Sequence, residues 1–340
     1  MTTVPVGLSL SWREAAQRLS DPAPSEQFCA IFGEPLLVVD FELPGEVDSV
    51  QAAQAAIVLE RLPCPTVALG ANAVETRVRD AFDVVLESIE SLADLRARVV
   101  AAPVAAQVLV QLLRAGESLG VHDALVAESL AYSVLLSGPE FGRWLESRRP
   151  VRAQEGASDP VIVEREGGTL RLILNRPERR NAWGTALRDA CAEALAVAVA
   201  DPSVTEIELR GAGPAFCSGG DLDEFGTHSD PATAHAVRST RNVARQLALC
   251  GDRVHARVHG ACVGAGLELP AFAARVTAAP DTWFQLPELA MGLVPGAGGT
   301  ASLPRRIGRQ RTAWLALSGR RIDARTALAW GLVDTIEGEG

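Results

Sequence analysis

Past residue 160 the apolar positions change period several times. Val161-Ile162-Val163 and Leu170–Leu174 flank Gly167-Gly168, which predicts a hairpin. Leu187, Cys191, Leu195 and Val199 recur at every fourth position, which predicts a helix over 181–200 capped near Asn181. Val204–Leu209 reads as a strand that runs into the Gly-rich RGAGPAFCSGGD. A helix is predicted over about Ala232–Leu249, then a strand at 254–258 leading through GACVGAGLE into another helix. A short strand at Thr282–Gln285 and a helix from near Thr300 follow. Repetition of strand, turn and helix implies an α/β fold with a mostly parallel sheet.

The first half has a different rhythm. Pro35–Phe41 and Thr66–Leu69 read as strands and Ala52–Leu62 as a helix. From Arg77 to Arg148 the pattern is helical, broken near Gly116–Gly120 or Gly138. The stripe in DALVAESLAYSVLLSGPEFGRWLESRR reads as the face of a helix turned to a core. Arg148-Arg149-Pro150 and the polar AQEGASDP, Ala153–Pro160, mark a linker between the halves.

Composition narrows the function classes. The 340 residues are 48% hydrophobic and 22% charged, enough for one large or two ordinary globular domains. A net charge of −10 argues against nucleic-acid binding but allows an anionic ligand held by a local group of arginines. The six cysteines form no CxxC pair and no Cys–His cluster, which implies free thiols in a reducing cytoplasm and no metal site. The N-terminal segment lacks a basic region followed by an apolar run, and no stretch is long enough for a transmembrane span. The expected location is therefore cytoplasmic, with no membrane partner.

Chemistry concentrates in two loops. Ala215–Asp221 and Gly260–Gly266 are Gly-rich and each follows a strand. Such loops expose backbone N–H groups, and two converging on one carbonyl oxygen make an oxyanion hole. Glu268 stands among Leu267, Leu269 and Pro270, surroundings that raise a carboxyl pKa toward general acid–base work; Glu288 follows the next strand. GAGLE is not GxGxxG, so a dinucleotide site is not indicated. Asp221 reads as a turn cap, Cys217 and Cys262 as small buried residues, His259 as a core histidine, and His228 and His235 as a surface pair.

Taken together, residues 161–336 resemble the crotonase (enoyl-CoA hydratase/isomerase) superfamily. The resemblance is carried by LILNRPERRNAW, GPAFCSGGDLDEF, VHGACVGAGLELPAFA, WFQLPELAMGLVPGAGGTASLPRRIG and LSGRRIDARTALAWGLVD, in that order. It implies a crotonase-like ββα spiral core, α/β in class. It places oxyanion-hole N–H groups on Gly220 and Ala265, and the two hydratase glutamates on Glu268 and Glu288. It implies acyl-CoA as substrate, no cofactor beyond the coenzyme A of that substrate, and contacts from Arg176, Arg179, Ala182 and Gly219. Hydration of a 2-enoyl-CoA is the leading expectation. Isomerisation, hydrolysis or a non-catalytic scaffold are the rivals. A homo-oligomer, trimer or hexamer, is implied as well.

Two departures bear on domain organisation. Family members continue for several helices beyond the GLVD segment, whereas little follows Asp334. Residues 80–150 resemble that missing tail, and PLLVVDF and LERLPCPTVALG resemble the family's third and fourth strands. These likenesses imply an internal duplication. Residues 1–152 would be a degenerate, helical crotonase-like module with a structural role, and 158–340 a catalytic core without its usual C-terminal helices. After ALG the first copy has NAVETR instead of GAGLE, so a single active site is expected, in the second half.

Overall fold

The structure, a computed structural model, describes residues 9–148, 159–227 and 230–338. Most of the proposed linker and His228 lie outside the described residues. The second half is built on a six-stranded sheet. Its spatial order is 335–336, 275–278, 254–258, 206–211, 169–174, 161–166, and only the last pair, the expected hairpin, is antiparallel. Beside it, Ala261–Val263 pairs in parallel with Trp283–Gln285, which pairs antiparallel with Ile322–Asp323. Helices Thr185–Ala200, Val243–Cys250 and Gly299–Ile307 cover this framework.

The first half carries a separate parallel sheet, 10–11, 37–40, 66–69 and 84–86. Strand alternation sends its side chains to two apolar clusters. Leu37, Val39 and Ala68 join Trp12, Phe28, Phe82 and helix Ser49–Leu59 in a small core of their own. Val38, Val67, Leu69, Val84 and Leu86 face the other way, into the main core shared with the second half. Helices Leu92–Ala101, Pro103–Gly116 and Val121–Leu136 enter that main core too, so a single hydrophobic interior spans both halves.

Buried ion pairs fasten the same junction. Asp83, 1% exposed, accepts from Arg114 and from Arg309 of the helix Arg309–Ser318, and from the backbone N–H and hydroxyl of Thr66. Gln310 donates to the carbonyls of Arg79 and Phe82.

Several expectations need correction. The run from Arg77 is not all helix: Val84–Leu86 forms an edge strand, and the helical part breaks at Ala102, before Pro103, as well as near Gly120 and Gly138. The expected helix 232–249 is two, Pro231–Thr240 and Val243–Cys250, with Asn242 capping the second through Arg245 N–H. Asn181 does not cap the helix after it. It sits fully buried at φ 53°, with its amide donating to the carbonyls of Ala212, Ala215 and Phe216. The cap comes from Glu224, which accepts from Thr185 N–H at 2.8 Å.

Candidate active site

Two loops meet because their strands pair. Cys217 N–H donates to Ala261 O at 3.2 Å and Val263 N–H donates to Cys217 O at 3.0 Å, laying 215–221 alongside 260–266. The approach requires glycine at position 266, where a Cβ would stand 2.4 Å from the Cys217 carbonyl oxygen. Gly219 O accepts from Trp183 N–H, and Asp221 N–H donates to Trp183 O. In such a parallel bridge the intervening residue, Gly220, turns its own N–H away from Trp183. Ala265 opens a short helix, Ala265–Glu268, where a first-turn N–H has no intrahelical acceptor. Among the described residues neither the Gly220 nor the Ala265 N–H has a hydrogen-bond partner.

Both residues line a cavity of about 640 Å³, together with Gly219, Glu268 and Glu288. The two glutamates are buried, 2% and 8% exposed. Their carboxylates converge on Gly264, whose φ is 50°: a Cβ there would lie 2.6 Å from Glu288 Oε1 and 3.7 Å from Glu268 Oε1. Glu268 Oε2 accepts from the N–H groups of Ala297 and Gly299, at 2.7 and 2.8 Å. Glu288 Oε2 is buried with no hydrogen-bond partner among the described residues. Burial pushes the Glu288 carboxyl up to about 8. Burial and the facing Glu288 push Glu268 up strongly. Both shifts favour the neutral acid, so the pair is suited to holding a proton at neutral pH. The two N–H donors on Glu268 oppose its upward shift.

Comparison with known proteins accords with this constellation. Residues 164–339 match the family described as "Enoyl-CoA hydratase/isomerase". The chain belongs to that family. It is similar to 2,3-dehydroadipyl-CoA hydratase of Escherichia coli K12, 35% identical over 176 residues that cover 52% of this chain and 68% of the relative. It is equally similar to 1,2-epoxyphenylacetyl-CoA isomerase of the same organism, 36% identical over 51% of this chain and 68% of the relative. Mevalonyl-coenzyme A hydratase of Beauveria bassiana is 35% identical over 50% of this chain and 64% of its own length. Among solved structures, the enoyl-CoA hydratase of Thermoplasma volcanium matches 53% of this chain and 72% of its own, with 33% identity and a TM-score of 0.49. A crotonase-type acyl-CoA activity follows from the family; its relatives of equal similarity divide between hydratases and isomerases.

The other candidate residues are placed less centrally. Arg176, Arg179 and Ala182 are not among the residues that line the cavity. Arg179 is held between Asp221 and Asp223, at 2.8 Å from each, so its charge is already balanced. Asp221 caps the turn at Leu222–Glu224, as its position suggested. Cys217 and Cys262 are buried, and burial raises both thiols, Cys217 to about 12. His259 is only half-buried and bonds the Gly213 carbonyl at 2.8 Å, so it is a loop tie and not a core residue. His235 is not a plain surface residue: its Nδ1 lies 2.9 Å from Ser129 Oγ, in the other half of the chain.

The largest surprise is the cavity's far wall. Leu125, Glu128, Tyr132 and Leu136 from helix Val121–Leu136, with Phe141 and Trp144 from Pro139–Ser147, line it. The first half therefore does more than support the core, as had been expected of it. The sequence held one signal of this. Glu128 interrupts an apolar stretch on a helix read as core-facing, and a carboxylate in a core needs a reason.

Proposed function

We propose that this chain is an enoyl-CoA hydratase. The observation that carries the proposal is the pair of buried, facing glutamates beside two N–H groups that have no partner among the described residues. A 2-enoyl thioester with its carbonyl oxygen at Gly220 N–H and Ala265 N–H becomes electron-poor at its β-carbon, and negative charge developing on that oxygen is stabilised in a water-poor site. A water held between the glutamates loses a proton to Glu268 as its oxygen bonds to the β-carbon. Glu288 gives its proton to the α-carbon. The pair has then gained one proton and lost one, and proton transfer from Glu268 to Glu288 restores the starting state. The coenzyme A moiety would run past the 176–185 segment at the cavity's edge.

A second reading rests on the same pair. One proton and two facing carboxylates could also move a proton between two carbons, giving isomerisation. Crotonyl-CoA separates the two. A hydratase removes the enoyl-thioester absorbance, and the Glu268→Gln and Glu288→Gln variants do not. Unchanged absorbance with wild-type protein that still binds the thioester would overturn the hydratase reading.

A further inference from the structure

Helix Gly299–Ile307 begins under the active site, and the backbone N–H groups at its start have no acceptors within the helix. Two carboxylates from distant elements take them in alternation. Glu268 Oε2 accepts from Ala297 and Gly299. Glu128 Oε1 accepts from Gly298 at 2.7 Å, and its Oε2 accepts from Thr300 N–H at 2.9 Å and from Thr300 Oγ1 at 2.7 Å. Glu128 is 3% exposed and comes from the opposite half of the chain.

We infer that Glu128 is a positioning residue of the active site, through which the N-terminal half fixes where the Glu268 carboxylate stands; this rests on the hydratase reading above. The 297–300 turn is the only tie on Glu268 Oε2 among the described residues, and every second N–H of that turn belongs to Glu128. Without Glu128 the Gly298 and Thr300 donors are left buried and unsatisfied, so the turn moves to satisfy them and takes the Glu268 anchor with it. The thioester donors Gly220 and Ala265 lie on other loops, so the grip on the carbonyl oxygen is spared. Glu128 also acts by its charge. Burial raises it to about 7, against the three hydrogen bonds and the Arg238 guanidinium that lower it. Arg238 and His235 face this helix from Pro231–Thr240, Tyr132 lies one turn along the same helix, and Glu268 and Glu288 lie across the turn. Arg238 bonds Ser129 and Ser133 instead of Glu128. A negative Glu128 therefore helps to keep the proton on Glu288, whose carboxyl it pushes up.

The test is the pH profile of crotonyl-CoA hydration by Glu128→Gln, with folding checked by near-UV circular dichroism. The expected result is kcat down about 100-fold, KM within about twofold, and the alkaline limb moved to lower pH. Wild-type kcat and limb in folded protein would overturn the inference, as would a loss that only tracks the folded fraction. If the Gln variant does not fold, Glu128→Asp decides. It keeps the charge but cannot span both donors, so kcat should fall with the limb unmoved, and wild-type kcat would contradict positioning. A turnover-free readout separates this from the hydratase reading. In carboxyl-labelled protein, the carbon resonance assigned to Glu288 by its loss in Glu288→Gln should titrate at lower pH in Glu128→Gln. An unmoved titration overturns the inference even if wild-type protein hydrates crotonyl-CoA. A moved one upholds it even if no hydration is seen.

Discussion

Strand 66–69 of the first half and strand 261–263 of the second each end in a turn at glycine, and among the described residues the second turn lies beside the candidate cavity. After strand 66–69 the backbone turns at Gly70, φ 64°, and its N–H donates to Leu86 O, just as the Gly264 N–H donates to Gln285 O. The space above it is filled, since a Cβ on Gly70 would meet Glu42 Cγ at 2.7 Å. After strand 261–263 the backbone turns at Gly264, φ 50°, and the residue that follows, Ala265, lines the cavity. At the start of strand 66–69, beside Thr66, the buried carboxylate Asp83 is neutralised by Arg114 and Arg309. Beside the second turn Glu268 and Glu288 face each other, and among the described residues no cation is bonded to either. What separates the two regions is the open cavity and the carboxylates left unspent beside it, and the sheets beneath are scaffolds.

The sharpest way to break that comparison is to alter the unspent groups. Glu288→Gln should cost kcat for hydration about 10²–10⁴-fold, as removal of a general acid does, with no loss of stability at neutral pH. Its effect on stability should depend on pH in a defined sense. A carboxyl raised by burial favours the folded state fully below its ordinary range, and that contribution is lost as pH rises through about 8. The Gln variant should therefore unfold at higher denaturant than wild type above pH 8. Equal midpoints at pH 9 would deny the buried proton.

Altering the spent carboxylate should give the opposite pattern. Asp83→Asn leaves two arginines without their partner and should destabilise by about 3–5 kcal/mol, read as the midpoint of urea unfolding. Turnover per folded molecule should hold. A large fall in kcat at full folding would place the ion pairs in the chemistry.

Matched glycine substitutions give the finest contrast. At Gly264 a Cβ meets Glu288 Oε1, and Gly264→Ala should cut kcat about 10- to 100-fold by displacing the pair. At Gly70 the clash is with a flexible side chain, so Gly70→Ala should cost about 1–2 kcal/mol of stability and leave kcat unchanged. Comparable kinetics in the two variants would erase the distinction between the loops.

The same contrast explains what could be read in the sequence. The hairpin, the parallel strands and the two Gly-rich loops were legible because period and glycine position report local backbone demands. Glu268 and Glu288 were legible from their setting and from the family's motifs. Val84–Leu86 was not, because three apolar residues between helices carry no period of their own. Asn181 was misread because a buried side chain tying three carbonyls looks, in sequence, like a helix cap. Glu128 was missed because its partners are more than 160 residues away, and only the folded chain brings them together.

The central claim is that two glutamates with one proton add water across an enoyl thioester. It is tested most directly by running crotonyl-CoA with wild-type protein in D₂O enriched in ¹⁸O and analysing the product by mass spectrometry. The account predicts a 3-hydroxyacyl-CoA carrying ¹⁸O at the β-carbon and one deuterium at the α-carbon, and neither with Glu288→Gln. Deuterium in an acyl chain that gains no oxygen, or release of free coenzyme A, would contradict it.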